Sequence, residues 1–284
     1  MDLSEEIQYM MTDHELYEFA RELRKATLYC LYSDGMGHVG GTMSIAELLS
    51  VLYNNVMKID PKDPKWEGRD RLVLSKGHCG PGLMACLALK GYFPYEDLAT
   101  LNKPGTHYPS HCDKNLTPGI DMTTGSLGQG TSLAMGLATG FKLQHKDNYV
   151  YLIVGDGESQ EGQVWEAALY ASTKKLNNVI AFTDYNKKQL DGFTKDICDL
   201  GDLRAKYEAF GWYAQECDGH DVRAIQECIE RAKAQTEKPS MIVLHTIKAK
   251  DCNFAEGVYY NHHVTISKEQ YDSAIAALDA MEVK

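Results

Sequence analysis

The chain has 284 residues, with 40 acidic against 29 basic side chains, a formal net charge of −11 and eight cysteines, none in a Cys-x-x-Cys pair. That length suits one substantial α/β core, residues 1–284 as a single domain. The acidic balance, with no polybasic run and no long apolar segment, argues against nucleic acid or a membrane as partner. Scattered thiols, and the acidic start Met1-Asp2-Leu3-Ser4-Glu5-Glu6 without a secretory apolar core, predict a reducing, cytoplasmic location.

Thr12 with Glu15 reads as a capping box opening a long amphipathic helix, with an apolar stripe of Leu16, Phe19, Ala20, Leu23, Ala26, Cys30 and Leu31. Ser33 to Gly41 reads as a glycine-rich loop, and Ser44 with Glu47 as the cap of a second helix ending near Asn55. Gly35-x-Gly37-x-x-Gly40 matches a dinucleotide fingerprint in form only, because it follows a helix where that motif needs a strand. The glycines instead allow a ligand close to the backbone, with His38 among them, although a lone loop histidine is commonly just surface. Arg71 to Leu74 predicts a short buried strand ending in Ser75-Lys76-Gly77-His78, with Pro81 in a first helical position. His78 thus stands between a strand end and a helix start, which suits an anion or a simple structural cap.

From about residue 103 to 123 no period is legible, and Pro104, Pro109 and Pro118 interrupt the segment. His107-x-x-x-His111 has the spacing of a metal pair on a helix, but Pro109 strongly disfavours a helix there. Thr124 to Gly130 opens a helix running to about His145 and lacks the Gly-Lys-Ser/Thr of a nucleotide P-loop. Tyr149 to Val154 is an apolar, β-branched run that predicts a buried strand, stopped by Gly155-Asp156-Gly157. A helical pattern follows to Lys175, then a second buried strand, Val179 to Thr183, delivers Asp184-Tyr185-Asn186. Asp156 and Asn186 therefore lie just past the carboxyl ends of two strands joined by one crossover helix, the edge where open parallel sheets bind ligands. Two hard oxygen donors there suit a small divalent cation completed by phosphate oxygens, so the pair predicts a diphosphate site. Gly-Asp-Gly alone is also a common strand-ending turn.

A further strand is read at Phe210 to Cys217, a helix from the Asp218–Asp221 turn to about Gln235, and a last strand at Ser240 to Thr246. A loop to Ile266 carries His262-His263, and Ser267 with Gln270 caps the final helix. The alternation predicts an α/β fold with a mostly parallel sheet and helices on both faces.

Gly155-Asp156-Gly157 with Asn186 thirty residues later resembles the thiamine-diphosphate motif, and in detail the chain is similar to the transketolase family. Four runs carry the likeness in order: Gly37-His38-x-Gly40-Gly41; Asp70-Arg71-x-Val73-Leu74-Ser75-Lys76-Gly77-His78; Pro118-Gly119-x-Asp121-x-Thr123 through Gly130; and Gly155 to Gly162 with Asn186. The resemblance implies the thiamin diphosphate-binding fold. It implies thiamine diphosphate with magnesium (or calcium or manganese), the metal held by Asp156, Asn186 and the carbonyl of Lys188. Gly125, Leu127, Gly157, Glu161, Asn186, His78 and His262 are implied to contact the cofactor. His38, His78, His111 and His262 are implied to be catalytic, lining the channel around the thiazolium. Glu161 and Glu166 resemble acidic residues that lie between subunits.

Several positions depart from the family pattern. Val39 and Cys112 replace prolines, Ala249 and Asp251 stand where glycines are customary, and Asn261-His262-His263 replaces Trp-His-Gly. The resemblance further implies the N-terminal, diphosphate-binding subunit of a split transketolase, inert without a separately encoded C-terminal subunit, with two of each chain in the assembly. The implied reaction moves a two-carbon ketol group from a ketose, a sugar phosphate or related anionic sugar, to an aldose. Alternatives are the decarboxylating subunit of a 2-oxoacid dehydrogenase and a non-catalytic transketolase-like protein.

Overall fold

Helix α1, Asp13–Asp34, opens where the sequence places its cap: Thr12 and Glu15 satisfy each other's backbone amides, and Gly35 ends the helix in a left-handed conformation at φ 86°. The computed structural model describes residues 10–284; the acidic hexapeptide Met1 to Glu6 lies outside the described residues. After α1 come a two-residue strand β1, Met36–Gly37, then helices α2, Val39–Met43, and α3, Ala46–Val51, which runs on as a π-turn to Val56. Strand β2, Arg71–Leu74, and helix α4, Gly80–Leu89, precede a largely irregular segment that ends at α5, Gln129–Leu143. The central unit is β3, Val150–Gly155, α6, Gly162–Thr173, and β4, Val179–Tyr185. Then follow α7, Thr194–Ile197, α8, Leu203–Ala209, β5, Tyr213–Asp218, α9, Val222–Ala234, and β6, Ser240–His245. Strand β7, Val264–Thr265, and α10, Lys268–Asp279, complete the order, with Ser267 and Gln270 forming the second capping box.

The five longer strands make a parallel sheet in the order β2-β3-β4-β6-β5. Alternate residues feed two cores. Tyr151, Ile153, Ile180, Phe182, Ile242 and Leu244 pack with α1, α3, α4 and α9 on one face. Val150, Leu152, Val154, Val179, Ala181 and Val243 pack with α5, α6 and α8 on the other. Burial on both faces explains why these strands read as continuous apolar runs instead of alternating ones. The fold is therefore the α/β arrangement expected, with β1 and β7 forming a separate antiparallel ladder.

Several local expectations are corrected. The 33–41 loop is interrupted by β1 and by the start of α2. Ser44 and Glu47 do not form a capping box: Ile45 is the N-cap of α3 and makes no side-chain cap bond. The Ser44 hydroxyl instead reaches Asp184 Oδ2 at 2.7 Å, and Glu47 pairs with Arg24. The strand expected from Phe210 begins only at Tyr213, because Gly211 turns the chain at φ 89° after α8, a helix not expected from the sequence pattern.

Candidate active site

Four neighbouring strands end at one edge, and their following loops wall a cavity of about 350 Å³. Strand β2 delivers Lys76 and His78, β3 delivers Asp156 and Gly157, β4 delivers Asn186 and Lys188, and β6 delivers Lys248. The loops before α2 and after β6 add His38 and His262, while the long irregular segment adds His111, Gly125 and Leu127. Glu161, at the start of α6, reaches the same cavity. Every implied cofactor and channel residue thus converges. Glu166, implied to lie between subunits and not in the cavity, is on the exposed outer side of α6, in a groove with Ser132, Met135 and Tyr170.

Asp156 is 2% exposed, and its carboxylate accepts the amide hydrogens of Gly157, at 2.7 Å, and Lys187. Burial, followed by the nearby Asp184 carboxylate, pushes its pKa up to about 7. A carboxylate held so high calls for positive charge beside it. Asn186 donates to Asp184 at 2.9 Å, which turns its Oδ1 the other way, where it accepts the Lys188 amide at 3.1 Å. The Lys188 carbonyl faces a cation already, the Lys248 ammonium at 3.1 Å. Beside them the buried Gln189 Oε1 has no hydrogen-bond partner. A carboxylate, an amide oxygen and a backbone carbonyl at one edge are a hard-oxygen donor set of the kind magnesium takes together with phosphate and water. The residues present fit a metal diphosphate.

Behind this edge lies a buried ionic lattice whose pairings the sequence motifs do not announce, although Lys76 and Glu158 lie within them. Lys76, 2% exposed, donates to Asp184 at 2.6 Å and to the Gly41 carbonyl at 2.7 Å. Burial alone would lower the Lys76 pKa, but Asp184 raises it; the same pairing holds Asp184 below the usual carboxylate range against its own burial. Ser44 and Thr246 complete the coordination of Asp184. Glu158 accepts from Ser75 Oγ at 2.5 Å, Gly128 N at 2.8 Å and Gly155 N at 2.9 Å, so one carboxylate ties together the loops of β2, α5 and β3.

The histidines form a cluster around His38. Its ring centroid lies 5.1 Å from His78, 5.6 Å from His111, 5.2 Å from His262 and 4.6 Å from His263. Burial first, and then neighbouring positive groups, lowers His38 to about 4 and His262 to about 3; His78 falls well below its ordinary value, and burial lowers His111. These imidazoles are neutral near pH 7, each able to give one hydrogen bond and accept another.

Lys248 lines the cavity although the sequence motifs do not mark it; in the sequence it is only the flank of the Ala249 and Asp251 departures. Its ammonium touches the carbonyls of Lys188 and Gln189 and lies 3.1 Å from His262 Nδ1, and burial lowers its pKa to about 8. Its position right after a predicted strand was the available signal.

The fold and this edge define an α/β cofactor-binding domain with an anion-ready, histidine-rich pocket. Residues 18–278 match the family profile described as transketolase, thiamine diphosphate binding domain. The 6-deoxy-6-sulfo-D-fructose transketolase subunit SqwG of Clostridium sp. (strain MSTE9) is 53% identical over 265 residues, covering 93% of this chain and 96% of that one. An apulose-4-phosphate transketolase subunit from Actinobacillus succinogenes is 38% identical, covering 95% of this chain and 98% of its own. The crystal structure of Campylobacter jejuni transketolase superposes with a TM-score of 0.89 at 32% identity, over 95% of this chain but only 43% of that one. The chain belongs to the transketolase family. It is a thiamine-diphosphate-dependent subunit of transketolase type.

Proposed function

We propose that the chain is the diphosphate-binding half of a two-subunit transketolase that moves a two-carbon ketol unit from an anionic ketose to an aldose. The observation that carries this is the convergence of His38, His78, His111 and His262 beside the Asp156–Asn186 strand ends. Thiamine diphosphate, when bound, supplies a thiazolium carbon that acts as nucleophile and electron sink. Asp156, Asn186 and the Lys188 carbonyl would hold its divalent cation, and Lys248, Gly157, Gly125, Leu127, His78 and His262 would receive the cofactor. Lys248 brings positive charge to the diphosphate, and the neutral imidazoles of His38, His78 and His262 bind sugar hydroxyls and shuttle their protons. A decarboxylating 2-oxoacid subunit has less use for so many neutral imidazoles, and the intact Asp156 and Asn186 speak against a non-catalytic homologue.

The Clostridium and Actinobacillus relatives are both named as subunits, which supports a separately encoded partner; two of each chain is the twofold assembly proposed for the pair. Exposed Leu127, Leu190, Val258, Tyr259 and Tyr260 make an apolar rim on the loops around the cavity, a surface such a partner would cover. The same relatives are named for a sulfo-sugar and a sugar phosphate, which supports a ketose donor with an anionic end. Residues 1–284 are then one diphosphate-binding domain. All eight cysteines are free thiols, in keeping with a cytoplasmic enzyme; no helix among the described residues is long and apolar enough to cross a membrane. The test is to coexpress the chain with the C-terminal partner and supply thiamine diphosphate, magnesium and an aldose. Donors to compare are 6-deoxy-6-sulfofructose, fructose 6-phosphate and fructose. Turnover of an anionic ketose, at least about tenfold above fructose in kcat/KM, is expected. Turnover of 2-oxoacids instead would overturn the assignment.

A further inference from the structure

The loop from Ile247 to Asp251 separates two compartments. Lys248 projects into the active-site cavity, whereas Lys250 and Asp251 line a second cavity, of about 160 Å³, together with Tyr17, Arg24, Glu47 and His220. The loop is conformationally awkward. Ala249 and Asp251 are both left-handed, at φ 62° and 61°, and neither is a glycine. Residues with a Cβ avoid that region, so something outside the loop must over-determine it.

The second cavity holds that something. The Ile247 amide donates to His220 Nε2 at 2.8 Å, so that nitrogen is the acceptor and Nδ1 carries the proton, 3.0 Å from Glu47 Oε2. Glu47 Oε1 lies 2.7 Å from Arg24 Nη1. Arg24 in turn donates from Nε to the Lys250 carbonyl at 3.2 Å, and its Nη1 lies 3.5 Å from Asp251 Oδ2. Arg24 and Glu47 are 1% and 4% exposed. The network therefore grips the backbone on both sides of Lys248, at the amide before it and at the carbonyl two residues after. A third grip, Ala249 N–H to Gly40 O at 2.8 Å, ties the loop to the segment that carries His38.

We propose that Arg24, Glu47 and His220 form a positioning network that holds the strained 247–251 loop so that the Lys248 ammonium points at the cofactor's diphosphate. None of the three lines the active-site cavity, so they act through Lys248. Without the network, relaxation of Ala249 and Asp251 toward ordinary backbone angles would swing Lys248 away from the Lys188 and Gln189 carbonyls and His262. The inference rests on the reading of Lys248 as a diphosphate ligand, and the experiment separates the two.

The experiment uses the complex with the C-terminal partner. It measures kcat and the thiamine diphosphate KM, calorimetric affinity for inorganic pyrophosphate with magnesium, and amide hydrogen exchange at 247–251. For His220→Ala, the KM and the pyrophosphate Kd are expected to rise about tenfold, the size of one lost hydrogen bond to a charge-linked group. Saturated kcat should stay within about twofold of wild type, and exchange at 247–251 should quicken. His220→Gln, which keeps an acceptor for the Ile247 amide, should stay within about threefold of wild type. Adding Ala249→Gly to His220→Ala should restore part of the affinity, because glycine carries no penalty at this left-handed angle and the Arg24–Asp251 contact is kept. If His220→Ala does not fold, Asp251→Asn, on a partly exposed side chain, should still weaken pyrophosphate about threefold by loosening one grip of Arg24. A fall in kcat with unchanged KM, or wild-type pyrophosphate affinity in both His220→Ala and Asp251→Asn, overturns the network. Lys248→Ala is the control. If it leaves pyrophosphate affinity intact, the Lys248 assignment itself fails; if it weakens binding while the network variants do not, only the positioning role fails.

Discussion

Asp156 is held at its strand end by two backbone amides, with its charge opposed by burial and by Asp184. Asp156→Ala is therefore expected to abolish magnesium-dependent thiamine diphosphate binding, by at least the roughly 100-fold typical of disturbed metal sites, while circular dichroism and melting temperature stay near wild type. Tight magnesium-dependent binding by the folded variant would remove Asp156 from the metal. His262 and His263 form a second pair for comparison. His262 lies against His38, His78 and Lys248, whereas His263 stacks edge-on against the His38 ring. His262→Ala should lower kcat about 100-fold, within the range for a lost proton-transfer group, with a small change in unfolding free energy. Should His263→Ala be the damaging change and His262→Ala silent, the two imidazoles have exchanged roles.

Between elements, the buried Arg24–Glu47 pair links α1 to α3 and carries a pH signature. Burial alone would raise Glu47, but Arg24, followed by His220, lowers it to about 2 from an ordinary 4.5. A carboxylate depressed on folding stabilises the native state above its unfolded pKa, and that contribution is lost as pH falls from about 4.5 to about 2. The difference amounts to about 3 kcal/mol. Glu47→Gln should flatten stability across that window in urea titrations. At pH 7 it should cost about 3–5 kcal/mol, since it strands a buried guanidinium. Gly77 tests the contact between the β2 and α5 loops: a Cβ there would sit 2.5 Å from the Thr124 carbonyl oxygen. Backbone must move to admit it, so Gly77→Ala is expected to destabilise by about 1–3 kcal/mol and to weaken cofactor binding by displacing His78 and Gly125 together.

At the scale of the whole molecule, the cavity is walled by strand-end loops and rimmed by exposed apolar side chains, and the chain spans 43% of the Campylobacter jejuni transketolase it superposes on. Purified without its partner, the chain should show no ketol transfer and should self-associate through that rim, read by sedimentation. Mixing with the C-terminal partner should restore both activity and a defined assembly. Robust turnover by the chain alone would refute the two-subunit proposal.

Local pattern was enough for the parallel α/β architecture and for the Asp156–Asn186 pair, because buried strands announce themselves as apolar runs and their ends as glycine-flanked turns. The order of the histidine loops was legible through the family likeness. Long-range chemistry was not. Ser44 and Glu47 had the spacing of a helix cap, yet their oxygens serve Asp184 and Arg24, partners 140 and 23 residues away. A cap and a tertiary ion pair use the same side chains, and only the folded chain decides between them. Helix α8, seven residues long, lacked the length for a helical period to show. Lys76 lies in a recognised run, but its pairing with Asp184, and the place of Lys248, have no local signature. Their role comes from adjacency in the sheet order β2-β3-β4-β6, which brings residues far apart in the chain to one buried edge where charge must be matched by charge.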